Sequence, residues 1–246
     1  MLRRVRADLH VHTCLSPCGD LEMSPIKIIR RARDREIEIL AICDHNSSEN
    51  APAVMRAAEG RGPVVLPGME VCSKEEVHVL ALFGRLDDAQ AMQSIVYRHL
   101  SGRNDPAAFG LQVISNERDE VLGFQDRLLI GALDLDLGEI VQDIHRLGGV
   151  VVASHIDRES FSVISQLGFI PASVTFDALE LSGNISPAEA RERFASYARH
   201  TFLRNSDAHF LEDLGKNTSA YLLEQPTFEE LCKALRTEDG RMVCTE

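Results

Sequence analysis

The first strand is the clearest element that the hydrophobic pattern of the chain predicts. From Val5 to Val11, apolar residues alternate with polar ones, which is the period of a half-buried β-strand. His10 and His12 therefore share the polar face of this strand, with their backbones about 7 Å apart. Two imidazoles at this spacing are close enough to bind one metal ion.

Strands and helices alternate along most of the remaining chain, which is typical of a parallel sheet covered by helices. Further strands are predicted at 38–45, 63–66, 77–82, 150–153, 178–181 and 201–203. Helices are predicted after residue 24, at 51–59, near 88–100, at 139–147, after residue 186 and after residue 227. Seven or eight strands with helices between them indicate an α/β barrel.

A middle segment, at about 84–137, breaks the alternation and is interpreted as an insertion, in which residues 116–120 suit a hairpin turn. Proline and glycine are spread along the chain, and no stretch has the composition of a linker. We therefore expect a single domain, 1–246, whose insertion rims the active site.

The composition narrows the class of protein. Of the 246 residues, 38 are acidic and 26 are basic, which gives a net charge of −12 and disfavours non-specific coating of nucleic acid. No run approaches the roughly 20 apolar residues of a membrane span. The six cysteines contain no Cys-x-x-Cys pair and are expected to be reduced. We expect a cytoplasmic protein without a membrane partner.

The histidines fall in two groups. Six lie within or just after predicted strands, and these are His10, His12, His45, His78, His155 and His209. The other three, His99, His145 and His200, lie in predicted helices and are interpreted as structural residues. Loops at the carboxyl ends of barrel strands build one site, so the first six are expected to converge.

Carboxylates accompany the six converging histidines. Glu70 follows a predicted strand end, and Asp207 with His209 repeats the same-face spacing on a predicted later strand. Asp20 is a further candidate. A mixed set of imidazoles and carboxylates favours Zn, Mn or Fe(II) over Ca or Mg.

Four motifs together resemble the PHP (polymerase and histidinol phosphatase) family. They are Asp8-Leu9-His10-Val11-His12-Thr13, Cys43-Asp44-His45-Asn46, Gly68-Met69-Glu70-Val71 and Ser206-Asp207-Ala208-His209. The resemblance covers nearly the whole chain. It implies a distorted TIM-like (β/α)7 barrel, two or three divalent metal ions (Mn, Zn or Fe) and hydrolysis of phosphoesters.

The resemblance also implies a ligand set. One ion is expected at His10, His12, Glu70 and Asp207, and a second at Glu70, His78 and His155. A third is expected at His45 and His209, where the family usually adds an aspartate.

Pro17 occupies the position of that aspartate in this chain. Asp20 from a lengthened loop is the favoured replacement, Cys18 is the alternative, and a weakly held ion without either is the third option.

The expected chemistry is in-line attack on phosphorus by a hydroxide that bridges the metal ions at Glu70. His209, His45 and the adjacent Asp44 are the candidate catalytic residues, with either histidine, or a metal-bound water, as donor of the leaving-group proton. Arg158 and Lys216 are candidate phosphate-binding residues. The absence of Trp and the presence of only three Tyr leave little material for base stacking, which favours a small phosphorylated substrate.

Three other functions stay open at this stage. A phosphodiesterase or exonuclease acting on nucleic-acid ends fits the same metals. An amidohydrolase-type C–N hydrolase also uses His-x-His on a first barrel strand, but it needs a metal-bridging lysine, and Lys74 and Lys216 lie off the pattern. A metal-binding regulatory module with weak catalysis is the last alternative.

Overall fold

The computed structural model describes residues 1–60 and 62–244, and a barrel of seven strands lies at its centre. The barrel strands are β1 (Arg3–Val11), β2 (Ile39–Ile42), β3 (Val64–Cys72), β4 (His78–Leu82), β7 (Val150–Ala153), β8 (Ala178–Leu181) and β9 (Phe202–Arg204). Four further strands are β5 (Val113–Ser115), β6 (Val121–Phe124), β10 (Ser219–Leu223) and β11 (Met242–Cys244).

Within these described ranges, eight α-helices accompany the strands. They are α1 (Pro25–Asp34), α2 (Ala51–Ala58), α3 (Leu86–His99), α4 (Pro106–Phe109), α5 (Leu137–Arg146), α6 (Val163–Leu167), α7 (Pro187–Arg193) and α8 (Phe228–Leu235). Pro25 opens α1 as predicted, and Ser186 with Glu189 forms the predicted capping box of α7. In the part of the chain that the structure describes, no helix is both long and apolar enough to cross a membrane.

The barrel strands follow the order β1-β2-β3-β4-β7-β8-β9. A parallel bridge between Val11 and Ala208 joins the end of β1 to the segment after β9. At the opposite end, β10 pairs antiparallel with the first half of β1, and β11 extends it. The predicted α/β, TIM-like barrel is therefore confirmed.

Strand β4 departs from the predicted alternation. No helix separates it from β3, because a tight turn at residues 73–77 reverses the chain. It runs antiparallel to both β3 and β7, so the prediction of a parallel strand here is wrong. Since the strand is reversed, its first residue, His78, lies at the end of the barrel where the neighbouring strands finish.

Apolar side chains fill the barrel and hold the helices against it. One buried cluster takes residues from every barrel strand, among them Leu9, Leu80 and Val152. A second packs α3 and α5 against the sheet, and a third packs α1 and α2. Burial on this scale, at about 25 cal/mol per Å2, is the main contribution to the stability of the fold.

The segment at 84–137 contains α3, α4 and the hairpin β5–β6, whose turn occupies the predicted residues 116–120. Its later part contacts the loops that follow β1 and β2. The backbone N–H of Val113 donates to the carbonyl oxygen of Cys14, and the Asn46 side chain donates to carbonyl oxygens of Leu129 and Gly131. These contacts place the segment at the same barrel end as His78.

Candidate metal centre

Eight side chains meet at this end of the barrel. Those from the ends of strands or the loops after them are His10, His12, His45, Glu70, His155, Asp207 and His209, and His78 joins them from the start of the reversed β4. All six histidines that lie at predicted strands are therefore brought together. Parallel strands finish on one side of a barrel, which is why residues roughly 200 positions apart converge.

Glu70 lies at the middle of the cluster and is 1% exposed. Five imidazole nitrogens are 3.1–3.5 Å from its two oxygens, and these are Nε2 of His10, Nε2 of His12, Nδ1 of His45, Nδ1 of His78 and Nε2 of His155. Three groups of ligand atoms close enough to share an ion lie here, namely His10–His12–Glu70, His45–Glu70–His78 and His12–His45–His209.

Hydrogen bonds behind the cluster orient its first two rings. His10 Nδ1 is 3.0 Å from Oε2 of Glu180, and a carboxylate can only accept, so this nitrogen carries the proton. Ser16 donates its hydroxyl proton to Asp44, and its oxygen therefore accepts from Nδ1 of His12 at 2.9 Å. Both Nε2 atoms are thus left with lone pairs when the rings are neutral, and they face each other at 3.1 Å.

The donor set fits divalent metal ions. Oε1 of Glu70 and Oδ1 of Asp207 are buried and have no hydrogen-bond partner, although ring nitrogens surround both. Buried carboxylates and opposed lone pairs are costly unless a cation lies between them. Imidazole and carboxylate ligands suit Zn, Mn and Fe(II), and second-sphere carboxylates such as Glu180 are typical of such sites.

The pKa shifts describe the same electrostatics. Burial lowers the pKa of His10, but Glu180, Asp207 and Glu70 more than offset this and raise it well above its usual value. Burial and the neighbouring His209 lower the pKa of His12 well below its usual value. The carboxylates around His10 therefore favour positive charge at this ring, whereas burial and the neighbouring histidine disfavour it at His12.

Two members of the cluster have an unusual backbone. Asp207 has a φ of 48° and His155 has a φ of 29°, in the left-handed region that non-glycine residues seldom adopt. Strand β9 ends at Arg204, so the prediction that Asp207 and His209 share a strand is wrong. The turn instead directs the Asp207 carboxylate to within 3.2 Å of Nε2 of both His10 and His12.

The loop after β1 presents Cys18, and not Asp20, to the cluster. Sγ of Cys18 is 3.2 Å from Nε2 of His45. The carboxylate of Asp20 instead accepts from the backbone N–H of Glu22. Burial of the sulfur would raise the pKa of the Cys18 thiol, but hydrogen bonds with His209 and His45 outweigh this and lower it to about 6.

Asp44 hydrogen-bonds the loop after β1, and its carboxylate does not face the cluster. Its oxygens accept from the backbone N–H of Thr13 at 2.7 Å and from the hydroxyls of Thr13 and Ser16 at 2.8 and 2.7 Å. All of these groups are buried. The structure thus places this candidate catalytic residue where it positions the loop and, through Ser16, the ring of His12.

The two candidate phosphate-binding residues differ in position. Arg158 is 37% exposed, and its Nη1 is 2.6 Å from Oδ2 of Asp207, at the edge of the cluster. Lys216 pairs with Asp213 at 2.7 Å, and both side chains are exposed. Among the described residues, Arg158 is therefore the better placed of the two.

The remaining histidines lie outside the cluster. His99 pairs with Asp134, and His145 pairs with Asp177, both at the surface. His200 follows the short 3-10 helix at Ala195–Tyr197 and is not in a helix itself.

Glu180 is the residue that the sequence reasoning missed. It is 1% exposed and accepts hydrogen bonds from His10, from the backbone N–H of His155 and from Nδ2 of Asn205. The sequence contained one signal for it, a carboxylate in the apolar run Ala178-Leu179-Glu180-Leu181. Because an unpaired buried charge is rare, a glutamate in a buried strand is expected to have hydrogen-bond partners.

A family model and solved structures give similarities consistent with this geometry. The model for the PHP domain matches residues 8–148, more than half of the chain. No curated protein matches the sequence at a significant level. A lesion-specific endonuclease from Pyrococcus furiosus has a similar fold, with a TM-score of 0.73 and 18% identity over 98% of this chain. An Endonuclease Q bound to a 27-mer duplex with an abasic lesion at its active site gives a TM-score of 0.71 with 19% identity, again over 98% of this chain.

This chain spans 58% of each of those two endonuclease chains. A Bifidobacterium adolescentis protein, provisionally described as a metal-dependent phosphoesterase, has a TM-score of 0.55 and 21% identity, with 94% of this chain and 96% of that chain covered. An amidohydrolase from Chromobacterium violaceum has a TM-score of 0.55 and 23% identity, with 86% and 90% covered. At these identities the similarity shows the fold and not the substrate.

Proposed function

Since this chain belongs to the PHP domain family, we propose that it is a metal-dependent hydrolase that cleaves the phosphoester bond of a small phosphorylated molecule. The observation that supports this most directly is the Glu70 carboxylate, buried within 3.5 Å of five imidazole nitrogens and beside a partly exposed guanidinium. Metal ligands and a phosphate-binding cation are thus next to each other.

The ligand assignment follows the grouping of the side chains. His10, His12, Glu70 and Asp207 would hold one ion, and Glu70, His78 and His155 a second. Divalent ions would activate water at neutral pH and neutralise charge on the phosphate oxygens. Mn, Zn and Fe(II) all suit these ligands.

The surrounding residues have supporting roles in this proposal. Glu180 holds the proton of His10 at Nδ1 and so keeps Nε2 free as a ligand. Asp44 fixes the loop that carries Ser16, which does the same for His12. Arg158, when a substrate displaces its pairing with Asp207, would bind a non-bridging phosphate oxygen through its planar fork of donors.

The substrate class is proposed from the entrance to the site. The net charge of −12 and the small number of aromatic residues disfavour a long nucleic-acid footprint. Contacts of residues 110–131 with the loops after β1 and β2 support the proposal that the insertion at 84–137 rims the site within one domain, 1–246. Such a rim would restrict access to small substrates.

All six cysteines are free thiols, which supports a cytoplasmic location.

A phosphodiesterase acting on nucleic-acid ends is the second candidate, because the fold of the lesion-specific endonuclease covers 98% of this chain. The amidohydrolase alternative lacks a bridging lysine among the described residues. Lys27, Lys216 and Lys233 pair with surface carboxylates, and the backbone N–H of Lys74 donates to the carbonyl oxygen of Leu135, in the insertion.

The test is hydrolysis by the purified protein, measured with its metal content. Phosphomonoesters, a phosphodiester, a duplex with an abasic site and an amide are compared after chelation and after return of Mn or Zn. We expect phosphate release from a monoester that is lost on chelation and in His12→Ala but kept in His99→Ala, the matched control. Bound metal without release from any phosphoester would refute the proposal, as would failure to bind metal.

A second comparison tests the proposed phosphate contact. Arg158→Ala should raise the KM for the phosphoester roughly tenfold or more, as expected for loss of a charge-assisted contact, while Lys216→Ala leaves it unchanged. The metal content of Arg158→Ala must equal that of the wild type for the comparison to count. An unchanged KM would remove Arg158 from the substrate site.

A further inference from the structure

One side of the cluster contains a set of donors different from the rest. Cys18, His45 and His209 form this side, which we name the thiol corner. Nε2 of His45 is 3.2 Å from Sγ of Cys18, and the ring of His209 also hydrogen-bonds this sulfur. His45 and His209 belong, with His12, to a group whose ring nitrogens all lie within 4.8 Å of one another.

The outer hydrogen bonds of the two rings use Nδ1 and turn both Nε2 atoms inward. His209 Nδ1 is 3.0 Å from the carbonyl oxygen of Asp207, which can only accept, so Nδ1 carries the proton. His45 Nδ1 is 3.1 Å from a carboxylate oxygen of Glu70, with the same consequence. Both Nε2 atoms therefore face the one sulfur, where a metal ion can replace the protons that the thiol and the two rings share.

The carboxylate of Asp207 places the first proposed ion next to the thiol corner. Oδ1 of Asp207 has no hydrogen-bond partner, although Asp207 is only 7% exposed. It lies 3.2 Å from Nε2 of both His10 and His12, where the first ion is assigned, and 3.5 Å from Nδ1 of His209, at the inner edge of the thiol corner. A buried, unpaired carboxylate oxygen is costly, and a bound cation would remove that cost.

The loop that carries Cys18 is held in place on both sides. Gly19 donates its backbone N–H to the carbonyl oxygen of Ser16, and a Cβ at Gly19 would lie 2.8 Å from the carbonyl oxygen of Thr13. Gly110 from the insertion, with a φ of 98°, packs so closely that a Cβ would lie 2.5 Å from the carbonyl oxygen of Pro17. The sulfur is therefore presented to the rings by a supported turn.

We propose that Sγ of Cys18, Nε2 of His45 and Nε2 of His209 bind a third divalent ion, and that the thiolate makes this position selective for Zn2+ over Mn2+. Thiolate and imidazole are preferred ligands of zinc, whereas manganese prefers oxygen. On binding, one sulfur–metal bond and two nitrogen–metal bonds form, and the protons that the sulfur and the two Nε2 atoms held pass to solvent. This inference rests on the proposed metal-dependent function and adds a ligand from the loop where Pro17 stands.

The assignment changes the roles of two candidate catalytic residues. With Nδ1 bound to Asp207 or Glu70 and Nε2 bound to metal, His209 and His45 have no nitrogen left to protonate a leaving group. They act as ligands, and the leaving-group proton comes from water.

The test uses Co2+ as a spectroscopic substitute for Zn2+ on the metal-free full-length protein. A cobalt–thiolate bond gives a sulfur-to-metal charge-transfer absorption in the near ultraviolet, which imidazole and carboxylate ligands do not give. We expect this absorption in the wild type and in Cys232→Ser, the matched cysteine control on α8, and its loss in Cys18→Ser. We also expect Cys18→Ser to bind one zinc ion fewer per chain, or to bind it at least roughly tenfold more weakly.

Alkylation gives an independent readout in the same protein. Cys18 is exposed, whereas Cys232 and Cys244 are half-buried, so peptide mapping after iodoacetamide treatment follows all three thiols together. Zinc should slow alkylation of Cys18 roughly tenfold or more and leave Cys232 and Cys244 unchanged, whereas Mn2+ should give little protection.

The outcomes separate this inference from the proposed function. Absence of the charge-transfer absorption in cobalt-loaded wild type, or equal alkylation of Cys18 with and without zinc, overturns the thiolate ligand even if phosphoester hydrolysis is present. A Cys18-dependent absorption in a protein that hydrolyses no phosphoester supports the thiolate ligand and refutes the hydrolase.

Discussion

Replacing Glu180 by glutamine tests whether a carboxylate behind the metal centre tunes its ligands. Oε1 accepts from Nδ2 of Asn205 at 2.7 Å, and Oε2 accepts from the backbone N–H of His155 at 2.9 Å and from Nδ1 of His10 at 3.0 Å. An amide has one acceptor oxygen, and Asn205 cannot turn because its Oδ1 accepts from the backbone N–H of Leu9. In either orientation of the introduced amide, the wild-type pattern of hydrogen bonds is lost, and at least one buried donor faces the NH2 group.

Two magnitudes follow from this geometry. One unpaired buried donor costs about 1–3 kcal/mol, so the metal-free variant should unfold at lower urea concentration by that amount of free energy. Loss of the negative charge behind His10 weakens it as a ligand, and changes at such positions usually lower metal affinity about 10- to 100-fold. At about 1.4 kcal/mol per factor of ten, this is roughly 1.4–2.8 kcal/mol of binding free energy.

The assay is competition for zinc between the protein and a chromophoric chelator, with urea unfolding of the metal-free protein measured beside it. Glu49→Gln is the matched control, because Glu49 also accepts two side-chain hydrogen bonds, from Tyr97 and Gln125, but lies outside the cluster. It should lose stability without losing zinc affinity. A zinc affinity of Glu180→Gln within about twofold of wild type would show that the carboxylate only supports the fold, and would refute the reasoning.

Three further predictions concern stability, all measured by urea unfolding of metal-free protein. Gly68→Ala should lower the free energy of unfolding by about 1–3 kcal/mol, because the added Cβ would lie 2.7 Å from a backbone carbonyl oxygen of β4, which cannot move aside. An unchanged urea midpoint would contradict this close packing. Asp44→Ala should lose about 3 kcal/mol or more, because three buried donors lose a charged acceptor, and a loss below about 1 kcal/mol would argue against the support of the loop. The hydrogen bond to Asp177 raises the pKa of His145, so its stabilisation is present below the unfolded pKa of about 6.5 and is lost as pH rises through the folded value. His145→Gln should therefore lower the free energy of unfolding by a few tenths of a kcal/mol to about 1 kcal/mol at about pH 5.5, and by less at about pH 8.5. Equal losses of stability at the two pH values would show that the pair does not titrate.

The metal centre could be anticipated only in part from the residues themselves. The alternation of β1 was sufficient to place His10 and His12 on one side, because the side-chain period of a strand is two. It could not show that His10 depends on Glu180, since that contact joins residues 170 positions apart. Nor could it show that Asp207 adopts a φ of 48°, which depends on the turn after β9.

The loop after β1 shows the same limit. The sequence reasoning favoured Asp20 over Cys18 as the replacement for the aspartate expected at Pro17. Both residues are within reach by chain length, so residue type alone made the carboxylate the natural choice. The turn at residues 16–19 and the hydrogen bond from Glu22 to Asp20 place the sulfur, and not the carboxylate, beside His45.

Periodicity, caps and turns are local properties of the chain, so they indicated most of the elements and the residue types available for chemistry. They therefore indicated an α/β barrel with histidines at its strand ends. The direction of β4, and with it the place of His78, depends on strand pairing, which is set by contacts between distant segments of the fold. The same contacts place Glu70 among the imidazoles and put Glu180 and Asp44 outside them, since burial and hydrogen bonding at these carboxylates arise from neighbours that the local sequence does not contain.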